Sequence, residues 1–150
     1  MSAAPKLSLA VQYASSAQGL PTRAQFRRWM AAALERDAQV TLRIVDEAEA
    51  HTLNKDYRGK DYATNVLTFV YDDAQPRPLS GDVIFCAPVV EREAREQHKE
   101  LPAHYAHLAI HAALHLQGYG HDNDADAPAM EKLETAILAK LGYADPYTGC

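Results

Sequence analysis

A stripe of histidines in a long apolar segment constrains this chain more than any other feature. Residues 107 to 121 hold four of the seven histidines, and His104 lies just before them. On a helix successive residues turn by about 100°, so positions three and four apart share one side. The helical histidines would then form one stripe: His104, His107, His111 and His115. Neutral imidazoles are costly to bury unless something occupies their lone pairs, so the stripe predicts a metal site.

Distance along the helix decides which of these histidines can share one ion. His107 and His115 are eight residues apart, about 12 Å, whereas a Zn–N bond measures about 2.0–2.1 Å. Gly118 follows soon after His115 and favours a reversal of the chain, which would return His121 toward the helix end. The predicted metal ligands are therefore His111, His115 and His121. His107 would shape the pocket or form a hydrogen bond from outside the ligand set.

Three protein ligands leave one coordination position open, which is typical of catalytic rather than structural zinc. Imidazole ligands also accept nickel, cobalt or copper, so the expected ion is zinc with other divalent transition metals as alternatives.

The metzincin proteases use a similar histidine spacing, with a glutamate base directly after the first histidine. Here that position is Ala112. Peptide hydrolysis by that mechanism is therefore disfavoured. For His104, outside the ligand set, we expect a backbone carbonyl partner.

A second candidate site is the basic segment around residue 58. Lys55, Arg58 and Lys60 lie within six residues, beside Tyr57 and Tyr62. The segment has two interpretations: a solvated basic turn after a helix, or an anion site. Arg58 is the best anion-binding candidate, because its planar and permanently charged fork matches phosphate oxygens.

The hydrophobic periodicity predicts an α+β fold, with a small mixed sheet of four strands and about five helices. Alternating or β-rich runs predict strands at 7–13, 39–46, 65–71 and 81–86. Helical spacing predicts helices from Thr22 to about Asp37, at 47–58, at 88–98, at about 102–117, and in a last segment that stops at Gly142. The helix at 102–117 is apolar nearly all round. We therefore expect it to be buried at the centre, with the metal site at its end.

Composition limits the class of protein. At 150 residues, positions 1–150 are expected to form one domain. Two cysteines, no signal-like N-terminus and no apolar run of about 18 residues favour a cytoplasmic protein without a membrane span. The net charge of −5 argues against a broad basic nucleic-acid surface. However, residues 1–60 hold nine Lys and Arg against six acids, which is compatible either with one basic face or with ordinary solvated charges.

Four ordered stretches carry a family resemblance. They are LNKDYRGKDYATNVLTF (53–69), GDVIFC (81–86), HAALHLQGYGH (111–121) and LGYADPY (141–147). Together they resemble the YbeY family of bacterial endoribonucleases, which are rRNA maturation factors. The resemblance implies a zinc-dependent enzyme that cleaves single-stranded RNA. Its implied substrates are the 3′ end of 16S rRNA and defective ribosomes, with the ribosome or small-subunit proteins as partners. It carries the metal ligands over to His111, His115 and His121, and the functional arginine to Arg58.

Two positions depart from the usual pattern of that family. Gly120 stands where an aspartate commonly precedes the last histidine, and Asn65 stands where an aspartate is often found. Asp122 or Asp124 are candidates to replace the first carboxylate. Two alternatives to the nuclease stay open: a metzincin-like metalloprotease, which Ala112 disfavours, and a non-catalytic ribosome-assembly factor whose zinc braces the helix.

Overall fold

A computed structural model of the chain describes residues 5–72, 74, 77–119 and 126–147. This part of the chain forms four strands and five helices. The strands are β1 (Leu7–Ala14), β2 (Ala38–Val45), β3 (Val66–Asp72) and β4 (Leu79–Cys86). The helices are α1 (Arg23–Ala33), α2 (Glu47–Arg58), α3 (Ala87–Glu96), α4 (Leu101–Leu116) and α5 (Asp126–Lys140). Their order along the chain is β1-α1-β2-α2-β3-β4-α3-α4-α5.

The strands form one mixed sheet in the order β1-β2-β4-β3. β1, β2 and β4 run parallel, and β3 pairs antiparallel with β4 at the end of the sheet. The predicted α+β class, the four strands and the five helices are thus confirmed. Among the described residues, no helix is both long and apolar enough to cross a membrane.

α4 lies at the centre of the main hydrophobic core, as its apolar surface predicts. Ten of its sixteen residues are buried, including Tyr105, Ile110 and Leu114. It packs against α1, α3 and α5 and against the β3–β4 side of the sheet. A smaller cluster lies on the opposite face of the sheet, where Val45, Leu67 and Ile84 meet α2. The two faces of the sheet are therefore covered unequally.

α1 is shorter than the sequence predicts. The helix begins after Thr22 as predicted, where Thr22 and Gln25 form a capping box, but it ends at Ala33 and Leu34 is extended. Tertiary contacts compete with the helix for the next residues. The backbone N–H of Glu35 donates to the side-chain oxygen of Gln117 over 2.8 Å. Gln117 lies just past α4, so this bond joins the ends of the two helices.

Gly81 allows β3 and α4 to lie close to β4. A Cβ atom at this position would lie 2.5 Å from the carbonyl oxygen of Phe69 and 3.0 Å from a methyl group of Leu116. Backbone cannot yield as a flexible side chain can, so only glycine fits without a shift. This close packing fixes the distance between β3 and the helix that carries the histidines.

Candidate metal and anion site

The end of α4 presents two of the predicted ligands side by side. The imidazole rings of His111 and His115 have centroids 6.1 Å apart, and their planes differ by 14°. The helix ends at Leu116, and Gly118 has a φ of +98°, a left-handed conformation that favours glycine. The predicted end of the helix just after His115 is therefore confirmed. His121 lies outside the described residues, so the three-histidine set stays a prediction.

Within residues 5–72, 74, 77–119 and 126–147, no three His, Cys, Asp or Glu side chains form a group that could hold a metal. The described residues bring together only two candidate ligands, His111 and His115. A third donor from residues 120–125 would be required to complete the set predicted from the sequence.

A buried carboxylate binds the Nδ1 atom of His111. Glu134 on α5 is 0% exposed, and its Oε2 lies 2.5 Å from Nδ1 of His111. An imidazole bound at Nδ1 is fixed in tautomer and ring orientation, which leaves Nε2 for a metal. Carboxylate–histidine–metal arrangements commonly have this form. The donor chemistry of His111 therefore fits a metal ligand.

The other oxygen of Glu134 joins two further groups to the same network. Nε2 of His107 lies 3.0 Å from Oε1 of Glu134, and the hydroxyl of Tyr147 donates to that oxygen. Burial raises the pKa of the Glu134 carboxyl, but the hydrogen bonds from its three partners outweigh burial and bring this pKa to about 2. Glu134 is therefore an ionised acceptor for its histidine neighbours. Glu134 thus links His107 to His111, because each imidazole contacts one of its two carboxylate oxygens.

Arg58 faces the same pocket as the two histidines. The pocket has a volume of about 270 Å³. Its lining consists of Arg58, Asn65, Val66, Leu67, Thr68, His111 and His115. Nη1 of Arg58 also donates to Oδ1 of Asn54 over 3.4 Å. Asn54 is fully buried and anchored to the carbonyl of Tyr62, so it gives the arginine a fixed neighbour. We call this cavity the histidine pocket.

His104 has a different partner from the one expected. Its Nε2 lies 2.9 Å from Oε1 of Glu93, a carboxylate on α3, so the expectation of a backbone carbonyl is wrong. The reason is tertiary: α3 packs against α4 and brings Glu93 to the buried imidazole. Asn65 donates its amide to the same carboxylate over 3.0 Å. An amide at position 65 therefore suits its neighbour Glu93.

Sequence reasoning missed Glu134 and Glu93. A signal for Glu134 was present, since it follows Leu133 and precedes Ile137 by three residues, within the apolar stripe of α5. A carboxylate on the buried side of a helix requires a donor. Its two histidine partners lie 23 and 27 residues earlier in the chain, so their identity depends on how α5 packs on α4.

The fold and the pocket define a class: α+β proteins whose central helix presents paired histidines, braced by a buried carboxylate, to a pocket shared with an arginine. The profile of a family described as Endoribonuclease YbeY matches residues 12–142. This chain belongs to that family.

Curated relatives and a solved structure agree with this assignment. An Endoribonuclease YbeY from Thiobacillus denitrificans is 60% identical over 144 residues, covering 96% of this chain and 98% of the relative. One from Nitrosospira multiformis is 57% identical over 157 residues, covering 96% and 83%. The solution structure of TM1509 from Thermotoga maritima is similar with a TM-score of 0.55 and 25% identity, covering 87% of this chain and 91% of that one. The fold predicted from the sequence thus has a solved counterpart.

Proposed function

We propose that this chain is a metal-dependent endoribonuclease that cleaves single-stranded RNA. It would act in late ribosome quality control and in maturation of the 3′ end of 16S rRNA. Membership of the family described as Endoribonuclease YbeY supports RNA cleavage. One structural observation supports the location of the chemistry: Arg58, His111 and His115 line one pocket. We further propose that residues 1–150 form a single domain and act in the cytoplasm, where the ribosome is the partner.

We propose His111, His115 and His121 as the metal ligands and zinc as the ion. Two of these imidazoles already share the histidine pocket, and Glu134 leaves Nε2 of His111 available. When bound, a divalent ion supplies Lewis acidity toward a phosphate oxygen. Glu134 would keep His111 in the orientation that ligation requires, and His107 and Tyr147 would keep Glu134 in place.

We propose that Arg58 is the catalytic arginine. Phosphodiester cleavage adds negative charge to the phosphoryl oxygens in the transition state, and a fixed guanidinium lowers the energy of that charge. The bond to buried Asn54 restricts where Arg58 can point. Preorganisation of this kind reduces the reorganisation needed during the reaction. The chain would thus bind a phosphate between Arg58 and the histidines.

The protease alternative has little support from the site. Ala112 is 0% exposed and packs in the main core, so its position faces away from the histidine pocket. The buried carboxylate next to His111 is held by three hydrogen-bond donors, which makes it a poor base for an attacking water. The alternative of a bracing zinc differs in its effect on folding. Removal of a structural ion would unfold the protein, whereas removal of a catalytic ion would leave it folded.

The deciding experiment is cleavage of single-stranded RNA by the purified chain, before and after chelation, beside His115→Ala. We expect chelation and the substitution each to abolish cleavage while the chain stays folded by circular dichroism. Products that end in a 2′,3′-cyclic phosphate would identify the RNA 2′-hydroxyl as nucleophile, and products with 3′-hydroxyl and 5′-phosphate ends would identify water. Equal cleavage by all samples would disprove the metal mechanism. Unfolding on chelation would instead support the bracing role.

A further inference from the structure

A second cavity lies on the face of the sheet opposite α4. It has a volume of about 660 Å³, within the range of about 300–1,000 Å³ usual for ligand pockets. We call it the sheet-face pocket. Its floor consists of Gln12, Thr41, Arg43, Phe69, Tyr71, Asp82 and Ile84, and its wall of Glu49, Leu53 and Tyr57 from α2. Nothing in the proposed reaction so far uses this cavity.

Exposed aromatic rings border the sheet-face pocket. Tyr57 is 69% exposed and Tyr71 is 66% exposed, and exposed rings that border one cavity often mark an interaction site. The ring of Phe69 contacts that of Tyr57 edge to face, with centroids 5.4 Å apart. This contact supports Tyr57 from below and leaves it exposed to solvent. Rings held in this way are typical stacking platforms for unpaired bases.

The charges in the sheet-face pocket do not suit a phosphate. Arg43 is the one cation among the described residues that line it, and both oxygens of Glu49 bind that guanidinium at 2.7 and 3.0 Å. Asp82 adds a second carboxylate, which accepts a hydrogen bond from the hydroxyl of Tyr71 over 2.7 Å. Carboxylates attract N–H donors and repel phosphates. The lining is therefore suited to the edge and face of a base.

The sheet-face pocket and the histidine pocket both border β3. Leu67 and Thr68 line the histidine pocket, and the next residue, Phe69, lines the sheet-face pocket. Likewise Tyr57 borders one pocket and Arg58 the other. β3 is the last strand of the sheet. A single strand bound at Arg58 can therefore pass around this edge.

We propose that the sheet-face pocket binds an unpaired nucleobase of the RNA substrate, next to the phosphodiester held at Arg58. The base stacks on Tyr57 and Tyr71, and Asp82 accepts from its amino or imino groups. The proposal rests on the proposed function, since it gives that RNA a second contact. It also supplies a physical reason for selecting single strands, because a paired base is already stacked and has no free edge.

The test measures binding separately from cleavage. A fluorescent 2′-O-methyl RNA oligonucleotide is titrated with the full chain, with Tyr57→Ala, Tyr71→Ala and Tyr57→Phe, and with Tyr13→Ala as the control. Tyr13 is a partly exposed tyrosine whose neighbour Gln12, and not Tyr13 itself, lines the sheet-face pocket. We expect each alanine variant in the pocket to weaken binding about tenfold or more. Tyr57→Phe and the control should bind within twofold of wild type.

An abasic oligonucleotide gives the complementary result. Removal of the base at the position next to the bound phosphodiester should weaken binding by wild type but make little further difference to Tyr71→Ala. Unchanged binding by both alanine variants would overturn the base pocket, even if wild type cleaves RNA. Binding that depends on Tyr57 and Tyr71 without any cleavage would instead overturn the proposed enzyme and leave the pocket standing. A wild-type chain that does not bind would overturn both.

Discussion

Glu134, wholly buried on α5, lies 2.5 Å from the Nδ1 atom of His111 on α4. The two residues are 23 positions apart in sequence, and the packing of two helices brings them together. Because the carboxylate occupies one ring nitrogen, the other is left to face the histidine pocket. This pair connects the hydrophobic packing of the fold to the proposed chemistry.

Replacing Glu134 with glutamine should weaken metal binding. An amide has one acceptor oxygen and cannot accept from His107, His111 and Tyr147 as the carboxylate does. We expect zinc affinity to fall about 10- to 100-fold, in the range found when such outer partners of ligands are removed. Competition with a chromogenic chelator measures the zinc affinity of each variant. Glu131→Gln on the exposed side of the same helix is the control and should keep wild-type affinity.

Elemental analysis tests the ligand set itself. Wild type should contain one zinc ion per chain, and His121→Ala should lose most of it, because two imidazoles alone hold the ion weakly. His104→Ala, which removes a histidine bound to Glu93 instead, should retain the metal. Full metal content in His121→Ala would show that another donor completes the site.

Removing Arg58 should slow cleavage without loss of metal. We expect Arg58→Ala to lower kcat by about 100- to 1,000-fold, the usual effect of losing one group that stabilises charge in a transition state. Arg58→Lys should recover only part of this loss, since an ammonium lacks the planar fork. Lys60→Ala removes a nearby charge as a control. A kcat close to wild type in Arg58→Ala would contradict the catalytic role.

The pair Asn65 and Glu93 predicts a rescue experiment. Asn65→Asp would place a second carboxylate at about 3 Å from Glu93, and we expect a loss of about 1–3 kcal/mol of stability at neutral pH. Adding Glu93→Gln should restore most of the lost stability, because the new amide can donate to the carboxylate introduced at position 65 and still accept from His104. Urea denaturation of the two single variants and the double variant measures the coupling.

The wild-type carboxyl of Glu93 also has a pH signature. Burial raises its pKa, but hydrogen bonds from His104 and Asn65 outweigh burial and hold the pKa below its usual value. The folded state thus binds this proton less tightly than the unfolded state does. Its stabilising contribution is therefore present above the unfolded pKa and is lost as pH falls through the folded pKa. Glu93→Gln should flatten the acid limb of a stability-against-pH curve.

Gly81→Ala should destabilise the fold and displace β3. The added methyl would lie 2.5 Å from the carbonyl of Phe69, and relief of such an overlap typically costs about 1–3 kcal/mol. Thermal denaturation measures the loss, with Ser80→Ala on the same strand as the control. Because β3 lines both pockets, RNA binding should also weaken. A stability equal to that of Ser80→Ala would show that β3 can shift at no cost.

Most elements of secondary structure follow from local sequence. Apolar periodicity, capping residues and glycines act within a few positions, so the strands, the buried helix α4 and its end near Gly118 were predictable. α1 was predicted too long because the chain after Ala33 is held by Gln117, 82 positions beyond Glu35. A local sequence pattern cannot show that a distant side chain will compete with the helix for these residues.

The sequence by itself determined the chemical types at the site: histidines spaced for one ion, an arginine suited to phosphate, and an alanine where a protease needs its base. Tertiary structure alone decided which groups meet. It placed Glu134 beside His111 and Glu93 beside His104, and it brought Arg58 and the two histidines His111 and His115 into one pocket. The reason is physical. Spacing along one helix determines the relative directions of side chains within about two turns, whereas contacts between different elements depend on how their buried surfaces pack.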